Sequence, residues 1–161
     1  MTKTKINSCF GVAFIPLFVL LFTSCAEQPL YDEAYSFDNT NWSIEDTAKF
    51  AVEVEDTTKN YQFILTLRTK NTYKYSNLWV HIGVTAPDNT RSQVAQKINL
   101  ARPDGSWIGR KTGTLVESKL HYQTTPFPLI GSYVFDITQA TQYDKIGEIV
   151  DLSLRIVEVE R

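Results

Sequence analysis

The sequence predicts an all-β domain: an antiparallel β-sandwich of the jelly-roll or immunoglobulin-like kind, with about seven or eight strands. Three observations predict it. Apolar residues alternate with polar ones at period two in five separate segments. The spacers carry tight-turn chemistry, as in Asp56-Thr57-Thr58-Lys59-Asn60, Pro87-Asp88-Asn89-Thr90 and Pro103-Asp104-Gly105. No stretch of about 12 residues shows a helical period.

Taken in chain order, the first element is not part of that domain. Lys3 and Lys5 are the only charges before Glu27, and the apolar run Cys9–Phe22 follows them. At ~1.5 Å per residue this run falls short of a ~30 Å hydrocarbon core, and Pro16 interrupts it. Phe22-Thr23-Ser24-Cys25 closes the segment. A basic start, a short apolar centre and small residues before the cut make a secretory signal. The Cys after two small polar residues makes it similar to a bacterial lipoprotein signal, in which that Cys is lipidated on sulfur and becomes the mature N-terminus. Residues 1–24 are therefore expected to leave. Cys9 goes with them, and Cys25 is then the only thiol. An exported chain with one unpaired Cys needs an explanation, and acylation supplies it. Two or more acyl chains, at ~0.8 kcal/mol per buried methylene, hold a protein to a bilayer without a spanning helix.

Loss of Lys3 and Lys5 moves the net charge from −2 to −4. Residues 25–35 lack periodicity and are expected to be a tether, with the sandwich domain over 36–161. Phe50, Val52 and Val54 share one face of a predicted strand, with Lys49, Glu53 and Glu55 opposite. Tyr61, Phe63, Leu65 and Leu67 form the next stripe. Leu78, Val80, Ile82 and Val84 follow, with Trp79 and His81 across the pleat. Tyr133, Phe135 and Ile137 form a fourth stripe, and Val150, Leu152, Leu154 and Ile156 a fifth, with Asp151 on its wet side. Weaker strands are read at Val94–Leu100 and Leu115–Tyr122, a candidate first strand at Ala34–Phe37, and a single helical turn at Thr138–Lys145.

Composition excludes several functions. Sixteen basic against 18 acidic residues, unclustered, do not make a surface that binds nucleic acid by phosphate neutralisation. His81 and His121 are the only histidines, and neither has a nucleophile elbow or a thiol partner. Two dispersed histidines make no zinc site, and Gly105–Gly113 lacks phosphate-loop spacing. The adjacent pairs Asp32/Glu33 and Glu45/Asp46 would point to opposite faces of a strand, which does not suit paired-carboxylate chemistry. Asp38, Asn39 and Asn41 could supply oxygens to calcium, but turn formation is the preferred reading. A non-catalytic protein without cofactor or metal is the expectation.

Two stretches stand out. Leu65–Leu78 joins two strong strands through a polar loop holding Arg68, Asn71, Tyr73, Tyr75 and Asn77. Arg offers a planar donor fork, Asn both donors and acceptors, and Tyr a ring with a hydroxyl tip. Such a set either knits the loop to its own sheet or captures a partner. Arg102–Gly109 is a turn followed by Trp107 between glycines. Trp42 and Trp107, if exposed, would suit a lipid-tethered carbohydrate-binding module, the second reading of the chain.

The lipoprotein signal, Tyr35-Ser36-Phe37 with Trp42, the Arg68 to Leu78 stretch, Pro103-Asp104-Gly105-x-Trp107-x-Gly109, Gly131-x-Tyr133 and the closing Leu154-Arg155-Ile156 together resemble the gliding motility lipoproteins of the H type, found across Bacteroidetes. The resemblance covers nearly the whole mature chain. It implies an envelope lipoprotein needed for surface gliding and linked to the type IX secretion machinery, with no catalytic activity and with protein partners in that machinery. It also implies a lipid anchor (palmitate-type chains on Cys25) in the outer membrane. Surface lipoproteins of that phylum carry acidic residues directly after the Cys. Here Asp32-Glu33 lies seven residues away, which favours the periplasmic face.

Overall fold

The computed structural model describes residues 29–159. Cys25 and the signal lie outside the described residues. Eleven strands follow in chain order: β1 (Tyr31–Ser36), β2 (Asn41–Ser43), β3 (Thr47–Val54), β4 (Asn60–Lys70), β5 (Asn77–Thr85), β6 (Arg91–Asn99), β7 (Arg110–Thr112), β8 (Leu115–His121), β9 (Gly131–Gln139), β10 (Lys145–Gly147) and β11 (Ile149–Val159). Three of them, β2, β7 and β10, have only three residues. The remaining strands match the expected number.

All pairings are antiparallel. One sheet has the order β1-β11-β4-β8-β7, the other β3-β9-β5-β6, and β10-β2 is a small ribbon. The predicted stripes become the facing surfaces. Phe50, Val52 and Val54 are buried, as are Leu65, Leu67, Leu78, Val80, Ile137, Leu152, Leu154 and Ile156. Rings tie the two sheets together: Phe63 on β4 meets Phe135 on β9 at 5.8 Å, and Tyr31 on β1 meets Phe50 on β3 edge-on at 6.3 Å. Burial of each such side chain is worth about 1.5–3 kcal/mol, so the stripes drive the collapse.

Three local expectations change. First, β1 begins at Tyr31, so the domain takes in residues read as tether. This edge strand is largely solvated, which is why its sequence shows no alternation. Second, the β11 register shifts between Ile149 and Asp151. That bulge buries Ile149 in place of Val150, while Asp151 stays on the outer face opposite Arg68 and is nonetheless only 2% exposed there. Third, Thr138–Lys145 forms no helical turn: β9 runs on to Gln139 and an irregular loop follows. In line with the preferred turn reading, the one 3-10 turn among the described residues is Asp38–Thr40. Asn39 (φ 51°) and Thr40 (φ 58°) are left-handed there, and the Asn41 amide donates to the Asn39 carbonyl at 3.0 Å. These Asx residues act as turn formers.

The core is open on one side. On β6 the inward series runs Val94, Gln96, Ile98, with Leu100 beyond the strand. Ile98 and Leu100 are buried, whereas Val94 is 59% exposed. An almost wholly apolar cleft of about 260 Å³ lies there between the sheets, lined in part by Phe63, Ile82, Val84, Val94 and Tyr122.

Candidate functional site

The residues singled out by sequence do not converge on one place. Arg68 lies on the outer face of the five-stranded sheet, directly across the ladder from Asp151. Its Nε donates to Asp151 Oδ1 at 2.8 Å, and a second nitrogen donates to Oδ2, so the pair is bidentate. The Asp151 carboxylate, almost wholly buried, raises the guanidinium pKa through these hydrogen bonds. Arg68 is thus a brace between β4 and β11. Removing it would strip a buried carboxylate of its partner.

Asn71 is held by its backbone, whose N–H donates to the Thr114 carbonyl at 2.8 Å. Trp107 is half-buried against the core. Its carbonyl accepts from Arg102, and Asp104 Oδ1 accepts from both the Ser106 N–H and its hydroxyl. Trp42 is fully buried, stacked on Phe37 at 4.4 Å, with its indole N–H donating to the Asp46 carbonyl at 3.0 Å. The Trp42/Trp107 sugar platform of the second reading is therefore not formed: one ring is sealed in the core and the other leans on it.

Tyr73, Tyr75 and Asn77 do share a site, at the end of the sandwich where β4 turns into β5. Three bonds fix this turn. The Lys70 N–H donates to the Glu148 carbonyl at 2.9 Å, the Thr72 hydroxyl to the Glu148 carboxylate at 2.8 Å, and the Tyr73 N–H to the Lys70 carbonyl at 3.1 Å. Tyr73 forms the floor. It is buried, its hydroxyl donates to the Asn77 carbonyl at 3.3 Å, and burial pushes its pKa up. Tyr75 stands above it, with ring centroids 5.6 Å apart.

Across the groove is Tyr143, a residue that sequence reasoning missed because its segment was read as a helical turn. Its loop is pinned from below by Gln139, which is 3% exposed. The Gln139 amide donates to the Tyr143 carbonyl at 2.6 Å, and its oxygen accepts from the Thr141 N–H and hydroxyl at 2.9 and 2.7 Å. The Ala140 N–H adds a bond to the Trp79 carbonyl at 2.8 Å. Tyr75 and Tyr143 lie 5.9 Å apart with planes 30° from parallel. Their hydroxyls interact, which raises the pKa of Tyr75 and lowers that of Tyr143.

The result is a groove of two adjoining hollows, about 460 and 250 Å³, that share Tyr73, Lys74, Tyr75, Tyr143 and Ile146. Ser76, Asn77, Trp79, Thr141 and Gln142 line the larger, and Lys145 and Glu148 the smaller. Tyr75, Trp79 and Tyr143 are 43%, 44% and 45% exposed. Rings of this size left open on two hydrogen-bonded loops and the start of β5 form a preorganised contact surface. Among the described residues no group of three or more His, Cys, Asp or Glu side chains is placed to hold a metal, and no helix is long and apolar enough to cross a membrane.

Comparison with known proteins follows the same lines. Among solved structures, Aeromonas hydrophila PliG, a periplasmic lysozyme inhibitor of g-type lysozyme, matches at 16% identity, covering 81% of this chain and 88% of that one, with a TM-score of 0.35. The infectious bursal disease virus VP2 subviral particle matches at 16% identity over 90% of this chain and 36% of that one, with a TM-score of 0.36. Sequence relatives are nearer. The gliding motility lipoprotein GldH homolog of Christiangramia forsetii is 30% identical over 158 residues, which is 93% of this chain and 96% of that protein. The gliding motility lipoprotein GldH of Flavobacterium johnsoniae is 30% identical over 124 residues, 77% of this chain and 76% of that one. The family model of the GldH lipoproteins matches residues 29–156, nearly all of the described sandwich. The chain belongs to the GldH lipoprotein family, the membrane-associated envelope lipoproteins of gliding motility.

Proposed function

We propose that the protein is a non-catalytic, lipid-anchored component of the gliding and type IX secretion apparatus, held at the periplasmic face of the outer membrane through acylated Cys25. Its work is to keep a neighbouring envelope component in position. The observation that carries this reading is the groove between the Tyr73–Asn77 turn and the Ala140–Asp144 loop, where Tyr75, Trp79 and Tyr143 stay open on rigidly braced backbone. Family membership supports the motility role, and the long antiparallel ladders suit a part that bears load.

The test is a chromosomal Tyr75→Ala/Tyr143→Ala double variant. Both rings are surface residues, so the melting temperature of the purified protein should move by only about 2–4 °C. Cell-surface gliding and in-cell cross-links formed from the groove should both be lost. Normal gliding with unchanged cross-links would contradict the proposal.

A further inference from the structure

We infer that the tyrosine groove binds an oligosaccharide and favours one bearing carboxylates. This names the chemistry of the component docked at the proposed face, and so rests on that reading. Three features point to it. Tyr75, Trp79 and Tyr143 leave aromatic surface open around a concavity, which suits packing against the C–H faces of a pyranose. The larger hollow, about 460 Å³, lies in the ~300–1,000 Å³ range of small-ligand sites.

The second feature is the polar set between the rings. Ser76, Asn77, Thr141 and Gln142 bring hydroxyls and amides, which donate as well as accept. The Asn77 amide makes only a long bond to the Ser76 hydroxyl at 3.4 Å. A hydroxyl-rich ligand alternates apolar faces with polar edges, and this lining alternates in the same way. The centre of a protein-binding hot spot, by contrast, is enriched in Arg as well as rings, and no Arg lines either hollow.

The third feature is charge. Lys74 and Lys145 line the groove, and neither takes part in an ion pair among the described residues. The groove's one carboxylate, Glu148, already faces Lys70 at 3.5 Å and accepts from Thr72. The uncommitted charge is therefore positive, which complements acidic sugars.

The experiment titrates the detergent-solubilised full-length lipoprotein with tetragalacturonate, and in parallel with neutral cellotetraose. Binding is read by calorimetry and by tryptophan fluorescence, to which exposed Trp79 should respond. Saturable binding of tetragalacturonate, ~10-fold tighter than cellotetraose, is expected. Trp79→Ala and Tyr143→Ala should each weaken it ~10-fold, and Trp79→Phe should recover part of the loss. Lys74→Gln/Lys145→Gln should abolish the preference for the acidic probe, as should high salt. No saturable binding of either probe, or binding indifferent to the ring variants, would overturn the inference. Should Tyr75→Ala/Tyr143→Ala cells lose gliding and cross-links to a protein while no saccharide binds, the glycan assignment falls and the docking reading stands. Should saccharide bind while those cells glide normally, the docking reading falls instead.

Discussion

Trp42→Ala is expected to destabilise the domain by about 3–5 kcal/mol, the range for truncating a large, fully buried aromatic. Trp42 has 0% exposure, so no solvent softens the loss. Three contributions go at once. The stack on Phe37 at 4.4 Å disappears, the Asp46 carbonyl loses its indole donor, and a cavity opens behind β2 where Trp42 pairs across to Ile146 of β10. Folded domains are stable by only about 5–15 kcal/mol, so this is a large fraction of the total. Urea unfolding should show a lower midpoint at unchanged slope. A shift below about 1 kcal/mol would mean that this end of the sandwich is looser than its geometry implies. The result would also separate packing from binding, because a sugar platform at Trp42 would lose affinity without losing stability.

The second large effect is placed at a glycine. Gly109→Ala should cost about 2–4 kcal/mol. An added Cβ would sit 2.6 Å from Ser118 Oγ and 2.9 Å from the Glu117 carbonyl carbon, against the backbone of β8. That backbone cannot yield readily, since β8 is laddered to β4 on one side and to β7 on the other. The loop must lift away instead, taking half-buried Trp107 off the core, and tryptophan emission should shift to the red. Gly105→Ala is the contrasting case. Gly105 sits at φ +83° with nothing within 4 Å of the added atom, so only backbone strain of about 1 kcal/mol is expected. Equal effects at the two positions would contradict the close-approach account of the Trp107-x-Gly109 motif.

What the sequence made legible was whatever depends on near neighbours. Each long strand with one wet face shows its stripe, so Phe50 to Val54 and Leu152 to Ile156 are readable without any partner in view. What it hid depends on register. Arg68 and Asp151 stand 83 residues apart and become opposite only through the β4–β11 ladder, so the sequence left the Arg open between bracing its own sheet and capturing a partner. Val94 opened a strand read as weak, and only the fold shows that its side chain lies on the inward series yet is 59% exposed. The groove was half legible. Tyr73, Tyr75 and Asn77 were marked by composition, whereas Tyr143 reaches them because a buried Gln139 amide, which has no sequence signature, fixes its loop.

The account stands on attachment through Cys25, and a Cys25→Ala variant tests it most directly. Cells grown with an alkyne-tagged palmitate analogue and then fractionated should show the native chain labelled and in the outer-membrane fraction. The variant should be unlabelled and recovered away from that fraction. A Cys25→Ala chain that still carries the label, or a native chain recovered unlabelled in the soluble fraction, would contradict it.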